Sequence, residues 1–338
     1  MIVQINEILN SGKDLSAAQM GEVMEEIMGG GVATAEIVSF LEALSRKGET
    51  VEELTAAVAV MRTHVIRINT CKTQVLDTCG TGGDAKGTFN ISTAAAFVAA
   101  GAGVTVAKHG NRSVSSRSGS ADILEALGIN INLSAEKIEE CLEAIGIAFL
   151  FAQNLHPAMK YAAPARKEIG KRTMFNILGP ISNPAGAAHQ LVGVFDKKWL
   201  EPVAQVLLNS GAKHSLVVHG FDGLDEITTT DSTYVAEAIG DKVKTYVINP
   251  HDYGIERARP EDLKGGNASS NARILVDILR GKPGPMRDIT VFNAAAGIYA
   301  ADKAGSINEA LELADKSITQ KKALEKLLQL KEFSLKSK

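Results

Sequence analysis

The chain has 338 residues, 45% hydrophobic and 22% charged, with a formal net charge of −3. That length holds two domains, or one large domain with an appendage, and the slightly acidic balance argues against a general nucleic-acid binder. No window approaches 18 uninterrupted apolar residues and the N-terminus lacks a basic region followed by an apolar stretch, so neither a membrane span nor a secretory signal is expected.

The first seventy residues read as helices. Ser16 precedes Met20, Val23, Met24 and Ile27 at helical spacing, and Gly29, Gly30 and Gly31 end the run. Thr34 is placed to cap a second helix bearing Ile37, Phe40, Leu41 and Leu44, with Gly48 as its terminator. Thr50 and Glu53 form a capping-box pattern ahead of Leu54, Ala57, Val58 and Met61. Three helices this short cannot bury every apolar face on one another, so another segment, a second subunit, or both must cover them.

After residue 73 strands and helices alternate. Short strands are predicted at 75–77, 104–107, 148–151, 191–195, 215–219 and 243–248. Helices are predicted at 91–101, 119–127, 135–145, 198–210 and 268–280, with two more over 292–330. The pattern predicts an α/β layer with a largely parallel sheet. Residues 154–190 stand apart, rich in Pro, Gly, Asn and basic residues, with one helical run at 158–170.

Four polar segments carry the chemistry. The first follows the strand at 75–77 and contains Gly80, Gly82, Gly83 and Asp84, then Thr88, Asn90, Ile91, Ser92 and Thr93. Glycine lets backbone N–H groups approach an anion closely, and the following helix offers its positive end. No Lys-Ser/Thr pair follows Gly87, so this is neither the nucleotide-triphosphate loop nor the dinucleotide pattern. Cys79 sits in the same loop with no evident base beside it, and reads as a small structural residue. Cys71, Cys79 and Cys141 form no CxxC pair, a sparse odd set that fits a reducing cytoplasm.

The second segment runs from Lys108 to Ser116, placed directly after the strand at 104–107, and Ser118, Ser120 and Asp122 then open a helix. Lys108 and Arg112 can neutralise phosphates, and Gly110, Asn111, Ser113, Ser115 and Ser116 can donate to them. In an open α/β sheet such loops share the rim beyond the carboxyl ends of the strands. The third segment, His219 to Glu226, ends on the carboxylates Asp225 and Glu226, which on a loop can approach Mg²⁺ together. The fourth contains His156, Pro157, Tyr161, Arg166, Arg172, Asn176, Pro180 and Asn183. Arg166 can meet a carboxylate in bidentate fashion, whereas Lys171 and Arg172 fit a structural connector equally well.

Taken together, these segments resemble the anthranilate phosphoribosyltransferases, in the nucleoside-phosphorylase-like class of phosphoribosyltransferases, over nearly the whole chain. The resemblance implies a small helical domain (1–72, completed by part of 160–190) beside a larger α/β domain (73–338). It also implies a homodimer through the helical domain. It implies a phosphoribosyl pyrophosphate site formed by Gly80, Gly83, Asp84, Thr88, Asn90, Ile91, Ser92 and Thr93, with Lys108, His109, Gly110, Asn111, Arg112, Ser113, Val114, Ser115, Ser116 and Ser120. Ser92, Asp225 and Glu226 would hold Mg²⁺, as two ions. Gly80, Asn111 and Arg166 would contact anthranilate, with His109, His156, Tyr161 and Pro180 along its path. Lys108, Arg112 and Arg166 would carry catalysis, by stabilising the leaving pyrophosphate and holding the acceptor. A pyrimidine-nucleoside phosphorylase of the same fold is the nearer alternative, although those enzymes resemble Lys-His-Ser-Thr-Gly-Gly at the glycine loop. A nucleic-acid-binding relative is the second.

Overall fold

The computed structural model describes residues 2–113 and 118–336. Seven strands form one sheet: β1 (Val75–Asp77), β2 (Thr105–Gly110), β3 (Ile147–Phe151), β4 (His189–Gly193), β5 (His214–Gly220), β6 (Thr233–Ile239) and β7 (Lys242–Ile248). Their order is β3-β2-β1-β4-β5-β6-β7. The first five strands in that order are parallel, while β6 and β7 add an antiparallel hairpin at one edge. The chain leaves β1 toward β2 and β3, then returns to lay β4 on the other flank of β1. The strand order therefore reverses between β1 and β4, the place beyond whose carboxyl ends an open α/β sheet commonly binds its ligand.

The strands of the parallel part are buried on both faces, as continuous apolar runs such as Ile147–Phe151 require. The alanine-rich helix Ile91–Gly101 and the helix Pro285–Ala300 cover one face and have almost no exposed residue. On the other face Val192, Val194, Val217, Ala236 and Ala238 join a second core. That core also contains the N-terminal helices, the helix Leu200–Asn209 and residues Ala158, Ala162, Ala165 and Met174. The apolar faces of the N-terminal helices are thus covered in part by the 158–181 segment.

Ser16 and Thr50 cap their helices as expected, each in a full capping box. Thr34 does not: the N-cap is Ala33, whose N–H donates to the Glu36 carboxylate at 3.2 Å, so Thr34 is the first helical residue. A fourth helix, Ile2–Asn10, precedes the three expected ones and buries Ile2, Ile5 and Leu9. The C-terminal region forms three helices rather than two, because Pro285 opens a long one at Pro285–Ala300 before Ile307–Thr319 and Lys322–Lys336. β6 is an addition to the strands that the sequence pattern predicts. β2 begins and ends later than that pattern suggests, so Lys108, His109 and Gly110 belong to the strand rather than to the loop after it. No helix of the described residues is long and apolar enough to cross a membrane.

An ionic network around the buried His214 lies at the amino end of β5, away from the loop rim. His214 meets Glu237 through Nε2 at 2.9 Å and Asp302 through Nδ1 at 2.7 Å. Tyr299 donates its hydroxyl to the same Glu237 at 2.8 Å and stands edge-on to the imidazole. Burial alone would lower the His214 pKa, but the two carboxylates outweigh it and raise it.

Candidate active site

The glycine loop is assembled by close backbone approach. Thr81 N–H donates to Gly193 O at 2.8 Å, and Phe195 N–H donates to the Thr81 hydroxyl at 3.0 Å. A Cβ on Gly80 would stand 3.1 Å from Gly193 O, and one on Gly193 would fall 1.5 Å from Asp225 O. Glycine is required at 193 because the carboxylate loop after β5 passes over it at backbone contact. Gly82 and Gly83 adopt φ of +65° and +83°, and Ala85 follows at +58°, a tight turn that exposes main-chain N–H groups. Neither the Gly83 nor the Asp84 N–H has a hydrogen-bond partner among the described residues.

The carboxylates converge on this loop. Glu226 accepts the N–H of Ser92, the second residue of helix Ile91–Gly101, at 3.2 Å. Burial and the neighbouring Asp84 push Asp225 up to about 7. Burial and Asp225 push Glu226 up to about 8, against the opposing pull of Lys108. Three neighbouring, half-buried acids beside one lysine leave excess negative charge, which a hard divalent cation would offset. Asn293 fastens the loop from behind: its Oδ1 accepts from Ile227 N–H at 3.0 Å and its Nδ2 donates to Ile227 O at 2.8 Å.

Because Lys108 and His109 are neighbours on β2, their side chains point to opposite faces. Lys108 is buried and donates through Nζ to Thr78 O at 3.0 Å, with the Ser92 hydroxyl at 3.4 Å. His109 turns the other way, and its Nε2 lies 3.1 Å from Nε2 of His156. One ring must donate to the other, so at least one is neutral at that nitrogen. Burial lowers both, His156 to about 4. Beneath them Asp77 accepts His109 N–H at 3.0 Å and Asn183 Nδ2 at 2.7 Å, and Asn183 also donates to Ala107 O at 2.9 Å. Burial raises Asp77 to about 6.

Asn90 is the N-cap of helix Ile91–Gly101 but makes no capping bond. Its amide instead donates to Ser118 O at 3.1 Å and accepts from Asn271 at 2.9 Å, and Asn271 also reaches the Ser118 hydroxyl. Thr93 is buried with its hydroxyl unpartnered among the described residues. Thr88 bridges to Lys264, tying the end of the glycine loop to the segment before helix Ala268–Leu279. Ile91 is buried in the core behind the helix start. Gly110 is packed so that a Cβ would meet Ser120 Oγ at 2.3 Å, and Ser120 Oγ donates weakly to Asn111 O at 3.4 Å. Arg112 points to Glu125, with Nη2 to Oε1 at 2.8 Å, and to Asp122 at 3.2 Å. Asp122 in turn accepts from the N–H groups of Ser113 and Gly119. Val114, Ser115 and Ser116 lie outside the described residues.

Arg166 lies half-buried on helix Met159–Ile169, its guanidinium 5.7 Å above the Phe175 ring. It has no hydrogen-bonded or ion-paired partner among the described residues, and burial lowers its pKa. A desolvated cation without an anion is suited to take a carboxylate. Pro180 is buried and its carbonyl accepts from Gln190 at 3.2 Å. Tyr161 is exposed and lies over Gly30, where a Cβ would meet the ring at 2.6 Å, so it faces the N-terminal helices. Cys79 is pushed up to about 12 by burial and Asp77, which makes it a poor nucleophile. Sequence reasoning misses the asparagines at 271 and 293 and does not assign the bond from Asn183 to Asp77. It leaves Arg172 open between a site residue and a structural connector, and the structure has Arg172 bonding the carbonyl of Gly83.

Fold and site together define a sugar-transferring enzyme of two parts. A family described as "Glycosyl transferase family, helical bundle domain" matches residues 3–65, and one described as "Glycosyl transferase family, a/b domain" matches residues 72–324. An anthranilate phosphoribosyltransferase from Acetivibrio thermocellus is 52% identical over 96% of this chain and 94% of its own length. A crystal structure of the enzyme of that name from Thermus thermophilus superposes with a TM-score of 0.93 at 41% identity, over 98% of this chain and 99% of that one. The Saccharomyces cerevisiae enzyme superposes in complex with PRPP and Mg (TM-score 0.91, 26% identity) and with 4-fluoroanthranilate (TM-score 0.90, 25% identity), each over 99% of this chain and 98% of that one. The chain belongs to the anthranilate phosphoribosyltransferase family.

Proposed function

We propose that this chain transfers the phosphoribosyl group of 5-phosphoribosyl 1-pyrophosphate to the amine of anthranilate, in tryptophan biosynthesis. The products are N-(5-phosphoribosyl)anthranilate and pyrophosphate. The observation that carries this reading is the gathering of Asp84, Asp225 and Glu226 around an open glycine loop, with the buried Lys108 beside them. Such a set suits a highly charged sugar donor that arrives with a divalent cation.

In this reading the Gly83 and Asp84 amides, with the residues around Ser92, Thr93, Asn90 and Lys108, hold the donor. Ser92, Asp225 and Glu226, joined by Asp84, would hold Mg²⁺, as two ions. Bound there, the metal would offset charge on the departing pyrophosphate. Arg166 takes the anthranilate carboxylate, and Gly80, Asn111, His109, His156 and Pro180 line its approach. The arylamine is neutral and already nucleophilic, so the residues chiefly orient it toward the anomeric carbon. The anomeric C–O bond breaks as the C–N bond forms, and a pyrophosphate oxygen takes the proton from nitrogen. Lys108 lowers the cost of negative charge on the leaving group. Arg112 would join it only by exchanging Glu125 and Asp122 for phosphate.

We also place the division between a helical domain and an α/β domain at residues 72 and 73, with part of 160–190 completing the first. The enzyme would act in the cytoplasm as a homodimer joined through its helical domain, which sedimentation would detect. The assay is turnover itself: anthranilate is consumed only with phosphoribosyl pyrophosphate and Mg²⁺ present, and thymidine with phosphate is left intact.

A further inference from the structure

Arg172 stands outside the site just described, yet it touches the glycine loop. It lies two residues beyond Gly170, the left-handed C-cap (φ +61°) that ends the helix carrying Arg166. Its Nη2 donates to the carbonyl of Gly83, and its guanidinium lies 4.0 Å above the ring of Phe195. Phe195 is itself bound to the loop through Thr81. No carboxylate pairs with Arg172 among the described residues, so its charge is directed at a carbonyl and an aromatic face.

A trans peptide holds its C=O and the next N–H in opposite directions. Fixing the Gly83 carbonyl toward Arg172 therefore turns the Asp84 N–H away from it, on the side left without a protein partner among the described residues. Gly83 has the left-handed φ that only glycine adopts cheaply, and a Cβ there would meet Arg172 at 3.2 Å. We propose that Arg172 is a positioning residue for the donor: it sets the Gly83–Asp84 peptide so that the Asp84 amide N–H faces the diphosphate. The proposal rests on the donor site proposed above. It also means that one short segment, from Arg166 to Arg172, serves the acceptor at one end and the donor loop at the other.

The test is steady-state kinetics of the full-length enzyme with Arg172→Ala, Arg172→Gln and Arg172→Lys. Losing a charge-assisted bond with its stacked face raises the KM for phosphoribosyl pyrophosphate about tenfold or more in the alanine and glutamine variants. The KM for anthranilate stays within about twofold, because Arg166 is untouched. Lysine recovers part of the loss, since an ammonium also donates to a carbonyl. The melting midpoint barely moves, because Arg172 is exposed. A donor KM within about twofold of the parent in the glutamine variant overturns the proposal, as does an equal rise for both substrates with a lowered melting midpoint. A parent enzyme that does not turn over would remove the donor-site reading itself, a result distinguishable from a change confined to the variants.

Discussion

Glu226 accepts the backbone N–H of Ser92 at 3.2 Å across 134 residues of sequence. This bond ties the carboxylate loop after β5 to the start of the helix after the glycine loop. It leaves Glu226 beside Asp225 and opposite Lys108, and burial raises both acids. Ionising this pair therefore costs stability, a cost that a bound cation would offset.

Asp225→Asn combined with Glu226→Gln should abolish the Mg²⁺-dependent part of turnover while the melting midpoint holds or rises, because two neighbouring, mutually repelling acids are removed. A metal titration of both enzymes decides it. A double variant with the parent's metal dependence would make the loop a structural feature only.

Arg166→Ala should raise the KM for anthranilate by about 10- to 100-fold, the worth of a hydrogen bond to a charged group, and leave the donor KM nearly unchanged. Arg166→Lys should recover only part, because an ammonium lacks the planar fork. An unchanged anthranilate KM in the alanine variant would remove Arg166 from the acceptor site.

Asn183→Ala strips the amide donor from buried Asp77 and from Ala107 O. Leaving a buried carboxylate short of a partner should cost about 2–4 kcal/mol near pH 8. Asp77 is already raised to about 6, so its protonated form is the one favoured by burial. The variant's deficit should therefore shrink as pH falls below that value and Asp77 takes up a proton. Denaturant melts at pH 5 and pH 8 check this, and a deficit larger at pH 5 would be the wrong sign.

His214 offers a second pH test away from the rim. Its folded pKa is raised, so the stability it contributes is fully present below the unfolded imidazole value of about 6.5 and is lost as pH rises through the folded value. Glu237, held low by its bond to His214, contributes above the unfolded carboxylate range and loses that contribution in acid. The gap in melting midpoint between the parent and His214→Gln should be widest near pH 6 and narrow toward pH 8.5. A gap constant over that span would mean that His214 is neutral in the fold.

Much of this is legible in the residues. The alternation of strands and helices points to the mostly parallel sheet, and Ser16 and Thr50 mark their helix starts through local hydrogen bonds that composition reveals. β6 escapes the pattern because Glu237 and three small residues (Thr233, Ala236 and Ala238) dilute its apolar signal, although Gly240 and Asp241 mark the hairpin turn that follows. The extension of β2 through Lys108 and His109 is hidden by their polarity. Polar residues sit in that strand because Ser92 and Thr78 await one side chain and His156 the other. Asn271 and Asn293 cannot be found by pattern. Each is one of several polar residues on its helix, and its meaning lies in partners far away in the chain: Asn90 for the first and Ile227 for the second.

If the carboxylate cluster and glycine loop bind a phosphoribosyl donor for transfer to anthranilate, anthranilate fluorescence reports it most directly. Adding phosphoribosyl pyrophosphate and Mg²⁺ to the enzyme with anthranilate should make the fluorescence decay, and omitting either should stop the decay. Fluorescence that persists with all components and folded enzyme present would contradict this assignment.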